Sequence, residues 1–160
     1  MPIDYIKYLR GMIKGSRCLS VGLSCLIIND KEEVLLEKRR DNGLYCLPGG
    51  SIDLDETVIE GVKREVREET GIELLNPSLF MIRSGKKNQI TYPNGDVTDY
   101  VDIIFIERVS SLSVPLNHDD ESTEIFFCSL SSLPSDEEFL RGTKEPIVKY
   151  LQKDFEVEVD

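Results

Sequence analysis

The stretch from Leu47 to Gly71 constrains this chain most, because it changes period within a few residues and crowds like charge onto one surface. Pro48-Gly49-Gly50 favours an irregular loop, since proline fixes its own φ and glycine reaches backbone angles that other residues avoid. Beyond it Ile59, Val62, Val66 and Thr70 recur every three or four residues, and Gly71 stands where helices commonly end in a left-handed residue. The spacing predicts a helix over 56–70. Glu65, Glu68 and Glu69 then fall at i, i+3 and i+4, within an arc of roughly 100°. Each like-charge pair at that spacing destabilises an isolated helix by about 0.2–0.5 kcal/mol, and by more where the face lines a cleft. Arg64 reaches Glu68 at i+4, but one guanidinium cannot neutralise Glu56, Glu65, Glu68 and Glu69 together. Such a cluster offers the hard oxygen ligands that suit Mg²⁺, or Mn²⁺ as a substitute, with water and substrate phosphate completing the shell. A solvated acidic helix face is the competing reading.

The remaining pattern surrounds this helix with strands. Ile3, Ile6, Leu9 and Ile13 predict a short N-terminal helix over 3–14, a packing accessory closed by Gly15. Leu19–Ile28 and Val34–Arg40 read as an antiparallel hairpin turning at Asn29-Asp30-Lys31. Glu73–Ser84 and Val97–Val109 are strand candidates flanking the Asn94-Gly95 turn, the second interrupted by Asp102 and Glu107. Glu124–Cys128 reads as a short strand, and Leu133–Asp136 starts a polar helical turn. Pro146–Phe155 fits an amphipathic helix with Ile147, Val148, Tyr150 and Leu151 inward. Helices and strands so interspersed fit an α/β sheet covered by helices rather than a bundle or a β-sandwich.

Length and charge remove several function classes. At 160 residues the chain suits one domain able to bury a full core. Lys plus Arg number 19 against 30 Asp plus Glu, and the net charge of −11 disfavours duplex nucleic acid and anionic membrane surfaces. Apolar runs such as Cys25–Ile28 are far short of the roughly 20 residues that span a bilayer, so no membrane association is expected. The N-terminal residues lack a basic start followed by an apolar core, which points to a cytoplasmic address. Cys18, Cys25, Cys46 and Cys128 form no C-x-x-C pair, and with the single histidine, His118, they lack zinc-site spacing. They read as reduced and mostly buried, although a Cys–His or Ser–His arrangement using His118 stays open at this level.

One resemblance ties these features together. Gly50, five residues, Glu56, seven residues, Arg64-Glu65-Val66, one residue, Glu68-Glu69, one residue and Gly71-Ile72 resemble the Nudix box of MutT-like hydrolases at all nine specified positions. Leu47–Gly50 before it and Ser129–Pro134 after it resemble the flanks of bacterial members, so the likeness spans about 18–153. Asp53 and Asp55 stand where many members carry Glu and Gly, and Gly61 replaces a common alanine, at about 0.5–1 kcal/mol. The resemblance implies an α/β/α sandwich with a mixed sheet and a loop–helix–loop motif, residues 18–160 forming the Nudix hydrolase domain and residues 1–17 a helical extension packed on it. It implies that the Gly50 carbonyl, Glu65, Glu68 and Glu69 hold the metal, that Arg64 orients carboxylates, and that Glu56 supports that network. The catalytic set is then Glu56, Arg64, Glu65 and Glu68. The base is either Glu65 or an acid of a later loop, with Asp119, Asp120, Glu121 and Glu124 as candidates that also read as an acidic surface loop.

The implied reaction is Mg²⁺-dependent hydrolysis of a diphosphate linkage in a nucleoside diphosphate joined to another moiety, such as a nucleotide sugar, or in a nucleoside triphosphate. The alternative is a non-catalytic nucleotide-binding sensor on the same fold. A family isomerase or an RNA decapping enzyme is a further option, the latter disfavoured because no long basic region is present. A small-molecule nucleotide needs local positive charge: Arg39 and Arg40 are the first phosphate-contact candidates, Arg83, Lys86 and Lys87 weaker ones. Strand alternation would turn only one of Arg39 and Arg40 inward. Tyr45, Tyr92 and Tyr100 could stack a base or pack a core. The resemblance is also compatible with a homodimer.

Overall fold

Cys25–Ile28 is apolar at every position because the strand that contains it is covered on both sides. In β1 (Cys18–Asn29), Leu26 and Ile28 enter one hydrophobic cluster while Leu23, Cys25 and Ile27 enter another. A computed structural model of the chain describes residues 5–111, 116 and 119–160, so His118 lies outside the described residues. The Asn29 side-chain carbonyl accepts the backbone N–H groups of Lys31 and Glu33, and this turn returns the chain as β2 (Glu33–Arg39), antiparallel to β1 at Ile28↔Val34. On its other edge β1 runs parallel to β7 (Val97–Val109), in register from Cys18↔Thr98 to Asn29↔Val109.

Among the described residues the sheet is mixed and nine-stranded. Its main path runs β3 (Tyr45–Cys46), β2, β1, β7, β5 (Ser78–Arg83) and β9 (Glu158–Val159). Off this path β4 (Gly49–Ser51) pairs with β1, β6 (Gln89–Thr91) with β7, and β8 (Ser122–Ser129) with β2. Helix α2 (Val58–Thr70) lays Val62 and Val66 on Leu23, Cys25, Ile27, Leu35 and Phe105. Helix α3 (Lys144–Leu151) covers the other cluster with Ile147 and Tyr150, against Leu26, Ile28, Phe80 and Ile104. Val62, Val66 and Ile147 are fully buried, each contributing about 1.5–3 kcal/mol. Helix α1 (Tyr5–Ile13) buries Ile6. The α/β/α sandwich is therefore present, and among the described residues no helix is long and apolar enough to cross a membrane. All four cysteines are free and buried.

Several expectations need correction. Glu56 precedes α2 rather than starting it, because Thr57 is the N-cap and forms a capping box with Glu60. Gly71 closes the helix at φ 73°, as expected. Glu73–Asn76 is not strand: Leu74 is buried, and the Glu107 carboxylate accepts the N–H groups of Leu75 and Asn76 at 2.8 and 3.1 Å. The Asn94-Gly95 turn joins β6, not β5, to β7, with Gly95 at φ 88°. In α3, Val148 and Leu151 are 38% and 47% exposed, because Ile147 and Tyr150 already set the buried stripe and their neighbours lie about 100° round the axis. The terminal strand β9 carried no periodic signal, since Glu158 and Val159 are both exposed.

Candidate active site

The site begins where β4 joins β1, at Gly22↔Ser51, Leu23↔Gly50 and Ser24↔Gly49. Gly49 has φ 152°, and a Cβ there would lie 2.0 Å from the Leu23 carbonyl oxygen, so only glycine lets the loop hug the strand. At Gly50 the restriction is spatial. A Cβ would lie 2.6 Å from the carboxylate carbon of Glu65, so helix α2 presses its acid directly onto the loop backbone.

Arg64 organises one half of the acidic face. Its Nε and Nη2 donate to the two oxygens of Glu56 at 2.7 and 2.9 Å, and Nη1 donates to Glu65 at 2.7 Å and to Glu68 at 3.4 Å. Nη2 also donates to the Ser51 carbonyl at 3.2 Å, tying loop to helix. The forked guanidinium is what permits this many simultaneous acceptors. The pairing with Arg64 holds the Glu56 carboxyl below its ordinary range. Burial raises that of Glu65, with Arg64 partly opposing. Gly61 has a role here that propensity does not reveal. A Cβ at this position would lie 2.4 Å from Leu23 Cδ1 and 2.9 Å from Glu56 Oε2, so the glycine admits Glu56 between helix and sheet.

Glu69 faces the other way. It is 7% exposed, and its Oε2 accepts the Gly49 N–H at 2.7 Å. Its carboxyl is raised well above the usual range, first by burial and then by Glu37 and Glu65. Ligand atoms of Glu69, Asp119 and Glu121 lie within 4.8 Å of one another, a spacing that could hold a metal ion. The sequence reading missed Glu37, although it shares the Leu35 face of β2 by strand alternation. It is 3% exposed, accepts Cys46 S–H at 3.2 Å and Ser122 O–H at 3.3 Å, and burial pushes its carboxyl up to about 7. Among the described residues no lysine or arginine makes an ion pair with Glu37 or Glu69. Buried Glu69, half-buried Asp119 and exposed Glu121 offer the carboxylate oxygens that suit a hard divalent ion, with buried Glu37 adding negative field behind them.

The two nominated arginines separate as alternation requires. Arg40 donates to the carbonyls of Asp120 and Ser122 at 2.7 and 3.1 Å, and so straps down the Asp119–Glu121 segment instead of facing a cavity. Arg39, paired with Asp41 at 2.8 Å, lines a cavity of about 150 Å³ that shares Gly49, Gly50 and Ser51 with the acidic site. Arg83, Tyr92, Tyr100, Asp102 and Arg141 line its other walls. Arg83 is 8% exposed and bonded to Asp102 at 3.1 Å. Tyr45 packs edge-on against Phe126 and Phe139 and belongs to the core. Glu124 sits 3.9 Å from Lys38 on the β2–β8 ladder, apart from the Glu69 group.

Comparison with known proteins follows the same outline. The family model of the NUDIX domain matches residues 19–151. The ADP-ribose pyrophosphatase of Methanocaldococcus jannaschii is 36% identical over 111 residues, covering 68% of this chain and 61% of that protein. An 8-oxo-dGDP phosphatase of Danio rerio is 33% identical over 117 residues, covering 70% of this chain and 32% of that protein. The chain thus spans about three fifths or less of the length of these curated relatives. Among solved structures, a MutT NUDIX hydrolase from Burkholderia pseudomallei superposes with a TM-score of 0.66 at 26% identity, over 81% of this chain and 96% of its own. A MutT protein from Methanosarcina mazei Go1 superposes at 0.67 with 26% identity, over 88% and 99%. A glycine loop pressed against a helix of spaced glutamates, set in a sheet that these structures share and matched from 19 to 151, makes this chain a member of the Nudix family.

Proposed function

We propose that the chain is a Mg²⁺-dependent pyrophosphohydrolase that cleaves the diphosphate linkage of a nucleoside diphosphate derivative. The observation that carries this reading is the convergence of Glu69, Asp119 and Glu121 beside the Gly49–Ser51 loop, with the cavity opening from the same loop. Glu69, Asp119 and Glu121 would hold the metal together with Glu65, Glu68 and the Gly50 carbonyl, and Mn²⁺ would serve as a substitute. When bound, a divalent ion neutralises phosphate oxygens and acidifies a coordinated water.

The chain's own residues complete the chemistry. Glu65, pressed against the Gly50 backbone and paired with Arg64, accepts the proton of the attacking water. Arg64 and Glu56 keep Glu65 and Glu68 aimed at the loop, and Arg39 contacts the diphosphate from the cavity side. Asp102 and Arg141 offer an acceptor and a cation to the moiety beyond the diphosphate. The names of the Methanocaldococcus and Danio relatives, acting on ADP-ribose and 8-oxo-dGDP, support a nucleoside diphosphate derivative as the substrate class.

The test is a Mg²⁺-dependent screen of nucleotide sugars, dinucleoside polyphosphates and nucleoside di- and triphosphates, with products identified by mass. Cleavage between phosphorus atoms is expected, and Glu69→Gln is expected to stay folded while losing at least 100-fold in turnover. Undiminished turnover by Glu69→Gln would overturn the metal assignment, and binding without any product would leave a sensor instead.

A further inference from the structure

Helix α1 lies outside the family-matched segment 19–151, and its sequence reads only as a packing accessory. One of its side chains nevertheless reaches the cavity wall. Arg10 Nη2 donates to Thr98 Oγ1 at 2.9 Å, and Thr98 is fully buried on β7. The guanidinium carbon stands 4.3 Å from the ring centroid of Tyr92, a cation–π distance. The Tyr92 hydroxyl lies 2.5 Å from that of Tyr100, and both tyrosines line the cavity that adjoins the Gly49–Ser51 loop. Arg10 Nε is buried without a hydrogen-bond partner, so the guanidinium is held by its Nη2 bond to Thr98 and by the stack on Tyr92.

The far end of this relay is as tightly placed. A side chain at Gly22 would meet the Asp102 carboxylate first, 2.2 Å from that point, and then the Tyr100 ring, with Cδ1 at 3.3 Å, and Gly22 pairs with Ser51 of β4. The Tyr100 carbonyl accepts Asn88 Nδ2 at 3.0 Å, and the same amide donates to Asp102 at 2.9 Å. Tyr92, Tyr100 and Asp102 thus make one continuous line of contacts from α1 to the strand that borders the acidic loop. A cation over a phenol ring also makes its hydroxyl a better donor, which strengthens the short contact between the two tyrosines.

We propose that Arg10 is a positioning residue for substrate: through Tyr92 and Tyr100 it fixes the wall of the cavity that receives the moiety attached to the diphosphate, making α1 a specificity element. The assignment of that cavity to substrate rests on the function proposed above. A structural role alone would lower thermal stability and leave the cavity chemistry unchanged.

The test compares the full-length chain with Arg10→Ala, Arg10→Lys, Tyr92→Phe and, as a control that loosens α1 elsewhere, Ile6→Ala. With ADP-ribose and Mg²⁺, Arg10→Ala and Tyr92→Phe are expected to raise KM about tenfold with kcat within about twofold, Arg10→Lys to recover most of the loss, and Ile6→Ala to leave KM within about twofold. The chain has no tryptophan and six tyrosines, so its near-ultraviolet circular dichroism reads the packing of the tyrosine rings. Arg10→Ala is expected to lose part of that tyrosine signal and Arg10→Lys to restore it. A near-ultraviolet spectrum identical to the parent, or equal KM values, overturns the proposal. If the parent cleaves nothing in the panel, the hydrolase reading fails, and the spectrum still decides whether Arg10 holds the tyrosine pair.

Discussion

Replacing Glu37 by glutamine isolates the electrostatic cost built into the acidic site. Glu37 is 3% exposed and its carboxyl is raised from 4.5 to about 7, chiefly by burial. At 1.36 kcal/mol per pH unit, that rise corresponds to about 3 kcal/mol separating the ionised and neutral forms in the fold. The sign follows from proton binding. Between pH 4.5 and about 7 the folded chain keeps a proton that the unfolded chain has released, so this residue's contribution is fully present below pH 4.5 and is lost as pH rises towards 7. Glutamine is neutral throughout, and its amide can still accept from Cys46 and donate to Ser122, the two groups that Glu37 bonds at 3.2 and 3.3 Å. In EDTA, thermal unfolding followed by circular dichroism should therefore show equal Tm values for parent and Glu37→Gln near pH 4. By pH 8 the variant should unfold roughly 6–12 °C higher, the equivalent of about 3 kcal/mol for a chain of this size. Saturating Mg²⁺ should narrow the gap, because a nearby dication favours the ionised carboxylate. Parallel Tm-against-pH curves for the two proteins in EDTA would refute the argument that buried, uncompensated acid shapes this site.

Gly61→Ala should destabilise the chain by about 1 kcal/mol in denaturant titration: the helix-propensity gain of about 1 kcal/mol is outweighed by overpacking against buried Leu23 and Glu56, 2.4 and 2.9 Å from the new Cβ. A more stable variant would show that the glycine is merely tolerated. Arg64→Lys cannot reproduce the fork on Glu56 and the bond to Glu65, and should cut kcat/KM by about 10–100-fold with a stability loss of about 1–2 kcal/mol, scaled down for its 20% side-chain exposure. Arg40→Ala frees the carbonyls of Asp120 and Ser122, and should weaken Mn²⁺ binding by calorimetry about tenfold while leaving the far-ultraviolet spectrum unchanged. Unchanged Mn²⁺ affinity would show that the Asp119–Glu121 segment needs no strap.

Much of the fold was legible because its signals are local or periodic. The box helix, its left-handed Gly71 terminus and the β1–β2 turn each depend on residues within a few positions of one another. Other features escaped for the opposite reason. Leu74 is buried without being strand, because Glu107, more than thirty positions away in sequence, satisfies the neighbouring N–H groups. Val148 and Leu151 are as apolar as Ile147, and only the placement of α3 on the sheet chose which stripe to cover.

The acidic site divides along the same line. The spacing of Arg64, Glu65, Glu68 and Glu69 declares a helix face bearing negative charge, since helix geometry alone places those groups, while Gly50 and Glu56 join them through the resemblance to the Nudix box. The reach of Arg64 to Glu68 was legible at i+4 and its pairing with the other carboxylates through the resemblance, but sequence could not say that Glu69 would turn away from it to Asp119 and Glu121. Nor could it say that Glu37 would be sealed beside them, that Arg40 would hold a loop while Arg39 lined a cavity, or that Arg10 would lean on Tyr92. Charge and periodicity are properties of neighbours along the chain. Desolvation and cross-strand contact arise only when distant segments close over the same few atoms.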